Sequence, residues 1–341
     1  MARRRVVAIT GASAGIGRAA AIAFGHRGDR VGLIARSHSG LEGALAEVEA
    51  AGGRGLVLPA DVADPAAVAA AADRLERELG PIDIWVNDAM LTVFSPADRV
   101  TPEEYRRVTE VTYLGAVHGT LEALRRMRPR GRGLIMRVGS ALAYRAIPLQ
   151  APYCAAKHAI RGFTDALRCE LIHDRSPIRV TMVHMPAVNT PQFDWARTHI
   201  PYQPQPVPPI FQPEVAARAI LDAADRPRRE MLVGLPTIAA VLGNKLAPGW
   251  LDRYLARTTY DGQHTGQPID TGRPDNLFHP VERLHATHGR FDDRASARSP
   301  GLWAVEHQTA IAAGLALAAA ALAAALWRGR PLRLRASSRR R

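Results

Sequence analysis

Residues 6–17 read VVAITGASAGIG, an apolar, β-branched run followed by a turn rich in glycine. The run predicts a buried strand, and the turn opens a helical pattern. Glycine lets the backbone turn tightly and approach a phosphate, which binds free N–H groups at a helix start. A strand, a glycine turn and a helix in this order predict a dinucleotide-binding site, with an ordinary tight turn as the alternative. The candidate binding residues are Gly11, Ser13, Gly15, Ile16 and Gly17.

Strand and helix patterns alternate over the first 235 residues. Apolar runs mark seven strands: Val6–Thr10, Val31–Ala35, Leu56–Ala60, Ile82–Asn87, Leu134–Gly139, Val180–His184 and Met231–Gly234. One intervening helix is predicted from Asp64-Pro65 to Gly80, and another begins at Thr101-Pro102. Apolar strands separated by helices are typical of a parallel sheet covered on both faces. The predicted fold is therefore α/β: a doubly wound Rossmann sheet of about seven parallel strands, followed by a mostly irregular and helical C-terminal extension.

The composition divides the chain into a sheet domain and three later segments. Residues 1–235 are predicted to form the dinucleotide-binding and catalytic domain. Eight prolines between 186 and 213 exclude a long regular helix or a central strand there and favour a substrate lid over a plain linker. Residues 236–305 form an extension, with short helices broken near Pro248-Gly249 and then polar, irregular chain. An alanine-rich apolar segment (306–327) and an arginine-rich tail (328–341) follow.

The net charge of +13 is concentrated at the two ends of the chain. Three arginines at 3–5 and seven between 328 and 341 leave residues 6–326 at only +3. Because the folded body is not strongly basic, we expect no nucleic-acid partner. Two cysteines, Cys154 and Cys169, exclude a disulfide framework and fit a reducing, cytoplasmic compartment. No metal site is expected.

The residue after the second strand bears on which dinucleotide binds. A site for NAD(H) has an acid about 20 residues after the glycine turn, where it binds the ribose 2′-hydroxyl. This chain has Arg36 there, followed by Ser37. A guanidinium bonds a 2′-phosphate in a bidentate fork. Arg36 therefore predicts a preference for NADP(H) over NAD(H), with a solvent-exposed arginine as the alternative interpretation.

Ser140, Tyr153 and Lys157 form the candidate catalytic group. Ser140 ends the fifth strand, while Tyr153 and Lys157 lie four residues apart on one helix face. A lysine ammonium and an oxidised nicotinamide would favour the tyrosine phenolate and lower a pKa that is ordinarily about 10. The chain has 43 arginines and only two lysines. A lysine at this spacing is therefore more than a generic positive charge.

Together these motifs resemble the short-chain dehydrogenase/reductase family, in its compact soluble branch, over about residues 5–235. The resemblance rests on the glycine turn, Asp61-Val62, the Asn87 region, Ser140 and Tyr153-x-x-x-Lys157. It implies a homo-oligomeric oxidoreductase that uses NADP(H) to interconvert a carbonyl and a secondary alcohol. Tyr153 would be the general acid/base, Lys157 the pKa perturber and ribose anchor, and Ser140 the substrate orienter. Further cofactor contacts are implied for Asp61, Val62, Asn87, Pro186 and Thr190.

Three positions depart from the family pattern. Asp88-Ala89-Met90 stands where the family has Asn-Ala-Gly, and Ala187 rather than glycine follows Pro186. Thr112 takes the place of an asparagine that helps to hold a water in a proton relay from the lysine. Thr112 is therefore a candidate catalytic residue, whose hydroxyl would substitute for that asparagine. A cofactor-binding sensor or scaffold with weak catalysis is the alternative function.

Two further expectations concern the substrate and the C-terminus. The lid carries large apolar side chains that favour a bulky apolar substrate, unless they only pack the lid onto the body: Phe193, Trp195, Ile200, Tyr202, Ile210 and Phe211. Residues 310–327 are 18 apolar residues without a charge, at the lower limit of a spanning helix, and seven arginines follow. Residues 310–341 are therefore predicted to contact the inner face of a membrane, with packing on the protein as the alternative.

Overall fold

A central parallel sheet organises the computed structural model, which describes residues 4–270, 272–311, 313–314 and 316–319. Its strands are β1 (Val6–Thr10), β2 (Arg30–Ala35), β3 (Arg54–Pro59), β4 (Ile84–Asn87), β5 (Leu134–Ser140), β6 (Arg179–Met185) and β7 (Glu230–Leu232). The strand order is β7-β6-β5-β4-β1-β2-β3, so the chain starts near the middle and winds outward in both directions. The seven predicted strands and the doubly wound α/β fold are confirmed.

Helices connect the strands and cover both faces of the sheet. In chain order they are α1 (Gly15–His26), α2 (His38–Ala50), α3 (Pro65–Leu79), α4 (Pro102–Val108), α5 (Gly115–Met127), α6 (Ala151–His173), α7 (Gln192–Trp195), α8 (Pro213–Asp225), α9 (Leu235–Leu246), α10 (Pro248–Gly262) and α11 (Pro300–Glu306). A π-helical segment, Thr109–Leu114, joins α4 to α5. Short 3₁₀ turns occupy Ala97–Arg99, Arg128–Arg130 and Ala141–Ala143.

Local sequence signals set several of these boundaries. The Asp64 side chain caps α3 by accepting the Ala66 N–H at 2.8 Å, and Gly80 ends the helix at φ 99°. Thr101 and Glu104 form a reciprocal capping box at the start of α4. Both helices begin where the sequence predicted, because each cap satisfies amides that have no partner within the helix.

The lid and the extension are joined by small two-stranded sheets. Ile210–Phe211 pairs with Ala295–Ser296, and Tyr202–Pro204 pairs with His264–Pro268. A third pair, Val93–Phe94 with Arg197–Thr198, joins the lid to the loop after β4. These pairs hold irregular chain against the carboxyl ends of the large sheet, where doubly wound folds bind their ligands.

Among the described residues, those from Trp303 onward form a unit separate from residues 4–302. The predicted membrane segment lies mostly outside the described residues, and the arginine tail wholly so. Among the helices that the structure describes, none has the length and hydrophobicity needed to cross a bilayer.

Candidate active site

A cavity of about 410 Å³ lies beside the carboxyl ends of the strands. Its wall contains most of the predicted cofactor residues and the whole candidate catalytic group: Gly11, Ser13, Gly15, Ile16, Arg36, Asp61, Val62, Ser140, Tyr153, Lys157, Pro186 and Thr190. Three predicted residues, Gly17, Asn87 and Thr112, do not line it.

The glycine turn fits a phosphate group. Gly11 and Gly15 have φ of 76° and 57°, and a Cβ on Gly11 would lie 2.9 Å from the Ala89 nitrogen. The first turn of α1 carries no acid, and its N-cap residue Ala14 offers no side-chain acceptor. A helix start with this composition suits an anion. The cradle therefore fits a dinucleotide pyrophosphate.

Gly17 and Asn87 support the site from behind. A Cβ on Gly17 would lie 2.3 Å from the Gly11 oxygen, so only glycine lets α1 pack against the turn. Asn87 accepts the Trp85 Nε1–H at 3.0 Å and donates to the Thr120 hydroxyl at 3.3 Å. The Asn87 side chain therefore faces the core, and its predicted place beside the cofactor stays a prediction.

Arg36 lies at one end of the cavity, and its guanidinium is not solvated. It donates to the carbonyl oxygens of Asn276, Leu277 and Phe278, the last at 3.2 Å. Burial lowers the pKa of Arg36, with Asp61 opposing. Arg36 is therefore a wall residue rather than an exposed charge.

The catalytic group is assembled by β5 and α6. The Ser140 hydroxyl accepts the Leu142 N–H at 3.1 Å, and it is also hydrogen-bonded to Tyr153. The Lys157 Nζ donates to the Val138 oxygen at 2.8 Å and lies 5.4 Å from the centre of the Tyr153 ring. The structure thus brings together the three side chains that the sequence grouped, in the wall that also holds the glycine turn.

Burial controls the protonation of this group. It raises the pKa of Tyr153, although the Ser140 hydrogen bond lowers it, so the phenol keeps its proton at neutral pH. The predicted lowering of this pKa by Lys157 and an oxidised nicotinamide concerns the cofactor complex and stays a prediction. Burial also lowers the pKa of Lys157 to about 8, partly opposed by the Asp88 charge. In the protein alone, Tyr153 is therefore a proton donor.

Asp88 is a site residue that the candidate set did not include. It lines the cavity, and burial raises its pKa to about 7, with Lys157 and the Gly17 amide opposing. Its signal in the sequence was an acid at a position where the family has asparagine.

Thr112 holds the loop after β4. Its hydroxyl donates to the Leu91 oxygen at 3.1 Å and accepts the Leu91 N–H at 2.9 Å. The side chain is fully buried and lies outside the cavity wall. That this hydroxyl replaces the relay asparagine stays a prediction.

His184 lies on β6, the strand beside Ser140, and contacts that residue. Its Nδ1 lies 3.2 Å from the Ser140 oxygen, and its ring packs edge-on against Tyr144 at 5.0 Å. Burial lowers the pKa of His184, which keeps the imidazole neutral at neutral pH. The sequence showed this histidine only as the last residue of an apolar strand, so its role could not be predicted.

The lid forms the wall at the substrate end. Phe193 and Trp195 are buried and line the cavity, together with the segment 206–209. Ile200 and Ile210 instead pack in an apolar cluster with Phe94, Leu149, Phe193, Ala196 and Phe291. Ile200 and Ile210 therefore pack the lid onto the body, while a bulky apolar substrate at the cavity stays a prediction. The extension adds four residues to the same wall: Pro236, Thr237, Leu255 and Thr259.

The fold and site define a dinucleotide-binding α/β oxidoreductase, and comparison with known proteins gives its family. The family model for short chain dehydrogenases matches residues 5–199. The uncharacterized oxidoreductase YxnA of Bacillus subtilis is 32% identical over 276 residues, 80% of this chain and 78% of that protein. The uncharacterized oxidoreductase Rv1543 of Mycobacterium tuberculosis is 36% identical over 233 residues, 66% of this chain and 65% of that protein. The chain belongs to the short-chain dehydrogenase/reductase family.

A solved structure also resembles this chain. It is the alcohol dehydrogenase from the archaeon Thermococcus sibiricus complexed with 5-hydroxy-NADP, at a TM-score of 0.58 and 25% sequence identity. The match covers 96% of that chain but 68% of this one. Nearly all of that enzyme therefore has a counterpart here, whereas a large part of this chain has none there.

Proposed function

We propose that this protein is an NADP(H)-dependent oxidoreductase that interconverts a carbonyl and a secondary alcohol. One observation carries the proposal: Ser140, Tyr153 and Lys157 share a cavity wall with the glycine turn. A proton donor, an oxygen-binding hydroxyl and a dinucleotide cradle in one cavity are the parts that hydride transfer to a carbonyl needs.

The protein's own part in the reaction concerns the proton. When bound, NADPH supplies a hydride to the carbonyl carbon. Tyr153 holds a proton at its hydroxyl and donates it to the carbonyl oxygen, while the Ser140 hydroxyl orients that oxygen. The Lys157 ammonium lies beside the tyrosine and stabilises the phenolate that the transfer leaves.

The preference for NADP(H) over NAD(H) is supported by Arg36 and Ser37 in the cavity wall. Bonds to three carbonyl oxygens hold the Arg36 guanidinium at the end where the 2′-phosphate of NADP(H) would lie. The similar archaeal enzyme was solved with an NADP derivative, which supports the same preference.

A bulky apolar substrate is supported by the large apolar side chains in the cavity wall, Phe193, Leu142, Ile147 and Leu255 among them. A screen of NADPH oxidation with steroids, long-chain ketones and small polar ketones tests this proposal. We expect the large apolar ketones to give the higher kcat/KM. Higher values with small polar ketones would refute the substrate class and leave the reaction type standing.

A cofactor-binding sensor or scaffold is the second candidate, favoured by the Thr112 contacts with Leu91 that keep its hydroxyl from a proton relay. Ketone-dependent NADPH oxidation that Tyr153→Phe abolishes would support the enzyme. NADPH binding without turnover across the whole panel would support the sensor.

Membrane contact through residues 310–341 and a homo-oligomeric state remain proposals. Full-length protein should pellet with membranes, and a 1–305 truncation should stay in the supernatant. Release by salt would indicate surface binding, while resistance to carbonate would indicate insertion. Full-length protein in the supernatant at low salt would refute the membrane proposal. Sedimentation of both forms tests the oligomeric state.

A further inference from the structure

Residues 276–289, here called the strap, cross the cavity from one end of the dinucleotide site to the other. The strap has no regular secondary structure. Four of its residues line the cavity opposite the sheet: Asn276, Pro280, Val281 and His285. The dinucleotide site therefore has two walls, one from the sheet and one from the extension.

The strap is anchored at the Arg36 end. Arg36 donates to three successive strap carbonyls, and the Arg107 Nε donates to the Leu277 oxygen at 3.1 Å. Leu277 is fully buried in the main apolar core with Val62 and Leu91. An apolar anchor and paired carbonyls give this irregular segment a defined position.

Glu282 brings a carboxylate to the start of α2. Its Oε2 accepts the Ser37 hydroxyl at 2.7 Å and the Ser39 hydroxyl at 2.5 Å. Ser37 also caps α2 by accepting the Gly40 N–H at 3.1 Å. The two serine hydroxyls lower the pKa of Glu282, so the carboxylate is ionised at neutral pH.

The strap ends over the glycine turn. Arg18 donates to the His285 oxygen at 3.1 Å, and the Gly15 N–H donates to the Ala286 oxygen at 2.9 Å. Gly289 packs so closely on Thr190 that a Cβ would lie 2.5 Å from the Thr190 oxygen. The strap thus contacts the adenosine end and the phosphate cradle of the same site.

We propose that Glu282 of the strap sets the cofactor preference by occupying the Ser37 hydroxyl, which lies in the cavity wall next to Arg36, where a 2′-phosphate would bind. The exposed Ser39 hydroxyl holds the same carboxylate from outside the wall. This inference rests on the cofactor site of the proposed function. NADP(H) must displace the Glu282 carboxylate, because a second anion on the Ser37 hydroxyl is repelled. NAD(H) carries no charge at the 2′ position and binds without that displacement. Arg36 favours NADP(H) and Glu282 opposes it.

Binding of the two nucleotides to the full-length protein tests the proposal. Dissociation constants for NADPH and NADH are measured by calorimetry for the wild type, Glu282→Gln and Glu282→Ala. Glu49→Gln is the matched control, since Glu49 is an exposed acid of α2. We expect both Glu282 variants to bind NADPH about tenfold more tightly and to leave NADH within about twofold. The gain should shrink at 1 M salt, because the repulsion is screened.

The alternatives give different results. An unchanged NADPH-to-NADH ratio in both Glu282 variants would overturn the proposal. A weaker NADH complex with unchanged NADPH would also overturn it, since Glu282 would then bind the 2′-hydroxyl. Loss of both nucleotides in the variants would make Glu282 a structural anchor. Wild-type protein that binds neither nucleotide would refute the cofactor site itself, and this inference with it.

Discussion

The two walls of the dinucleotide site are held in place by different interactions. The sheet wall consists of strand ends and helix starts, whose backbone groups pair within a ladder of seven parallel strands. The extension wall is irregular, and arginine side chains bond its carbonyl oxygens. The strap oxygens accept from Arg36, Arg107 and Arg18. Arg273 of the extension donates in turn to carbonyls of the lid, Asp194 and Ala196 among them.

This difference explains part of the arginine content of the chain. Irregular chain leaves carbonyl oxygens that no ladder satisfies, and an unpaired buried carbonyl is costly. A guanidinium has five N–H groups and can bond several carbonyls at once. The proposed catalytic residues therefore lie on rigid elements of the sheet wall, whereas the proposed selectivity residue Glu282 lies on chain that side chains hold in place.

The largest expected effect lies on the sheet wall. Tyr153→Phe should lower kcat by about 10²–10⁴-fold, because only a proton donor is lost. NADPH binding should stay nearly intact. Steady-state kinetics and calorimetry on the same preparation measure both quantities. Cys154→Ser is the control, since Cys154 is the next residue of α6 and should keep its activity. Full turnover in Tyr153→Phe would show that α6 is only structural.

The second effect separates binding from chemistry on the same helix. Lys157→Ala should weaken NADPH binding and lower kcat together, because one ammonium serves both the cofactor ribose and the tyrosine. We expect the dissociation constant for NADPH to rise and kcat to fall by at least about tenfold each, the scale of one charge-assisted hydrogen bond. A variant that loses turnover but binds NADPH normally would remove the ribose-anchor role.

The third prediction concerns the residue at which the walls meet. Wild-type protein should have a lower KM for NADPH than for NADH, and Arg36→Asp should reverse the order, a shift of about tenfold or more. The same variant should loosen the strap, because three carbonyl bonds are lost. Limited proteolysis at residues 276–289 measures the second effect. A looser strap with an unchanged cofactor ratio would make Arg36 an anchor only.

The smallest expected effect is a pH dependence of local stability where His288 of the extension contacts α8. The imidazole of His288 pairs with Glu214 at 2.7 Å and with Asp292 at 2.8 Å. Burial lowers the pKa of His288, but the two carboxylates outweigh it and raise the value above 6.5. A raised pKa means that this stabilisation is complete below about pH 6.5 and is lost as pH rises through the folded-state value.

Hydrogen exchange in residues 286–292 should therefore quicken between pH 6.5 and 9, after correction for the intrinsic rate. In His288→Gln this corrected dependence should be flat. The contribution is below about 1 kcal/mol, since all three groups are partly exposed. A wild-type profile as flat as that of the variant would contradict the prediction, and β5 serves as the internal reference.

The sequence predicted the sheet wall well, because its signals are local. The glycine turn, the capping residues Asp64 and Thr101, and the Tyr153–Lys157 spacing each act within a few residues, so a pattern reveals them. The sequence could not show where side chains point. Asn87 and Thr112 were assigned to the site by position, and the structure turns both side chains toward backbone or core partners. Burial, which raises the pKa of Tyr153 in the protein alone, cannot be read from spacing either.

The sequence by itself determined the fold class, the strand ends that form the site and the three residues that we propose as the catalytic group. Helix and strand periodicity, helix caps and turns depend on residues close in the sequence, so a short stretch of sequence predicts them. Only the tertiary structure decided that residues 276–289 form the second wall. Glu282 is separated from Ser37 by 245 positions, and its segment has no periodicity from which the contact could be predicted. Contacts made by irregular chain join residues far apart in the sequence, and for that reason no local pattern predicts them.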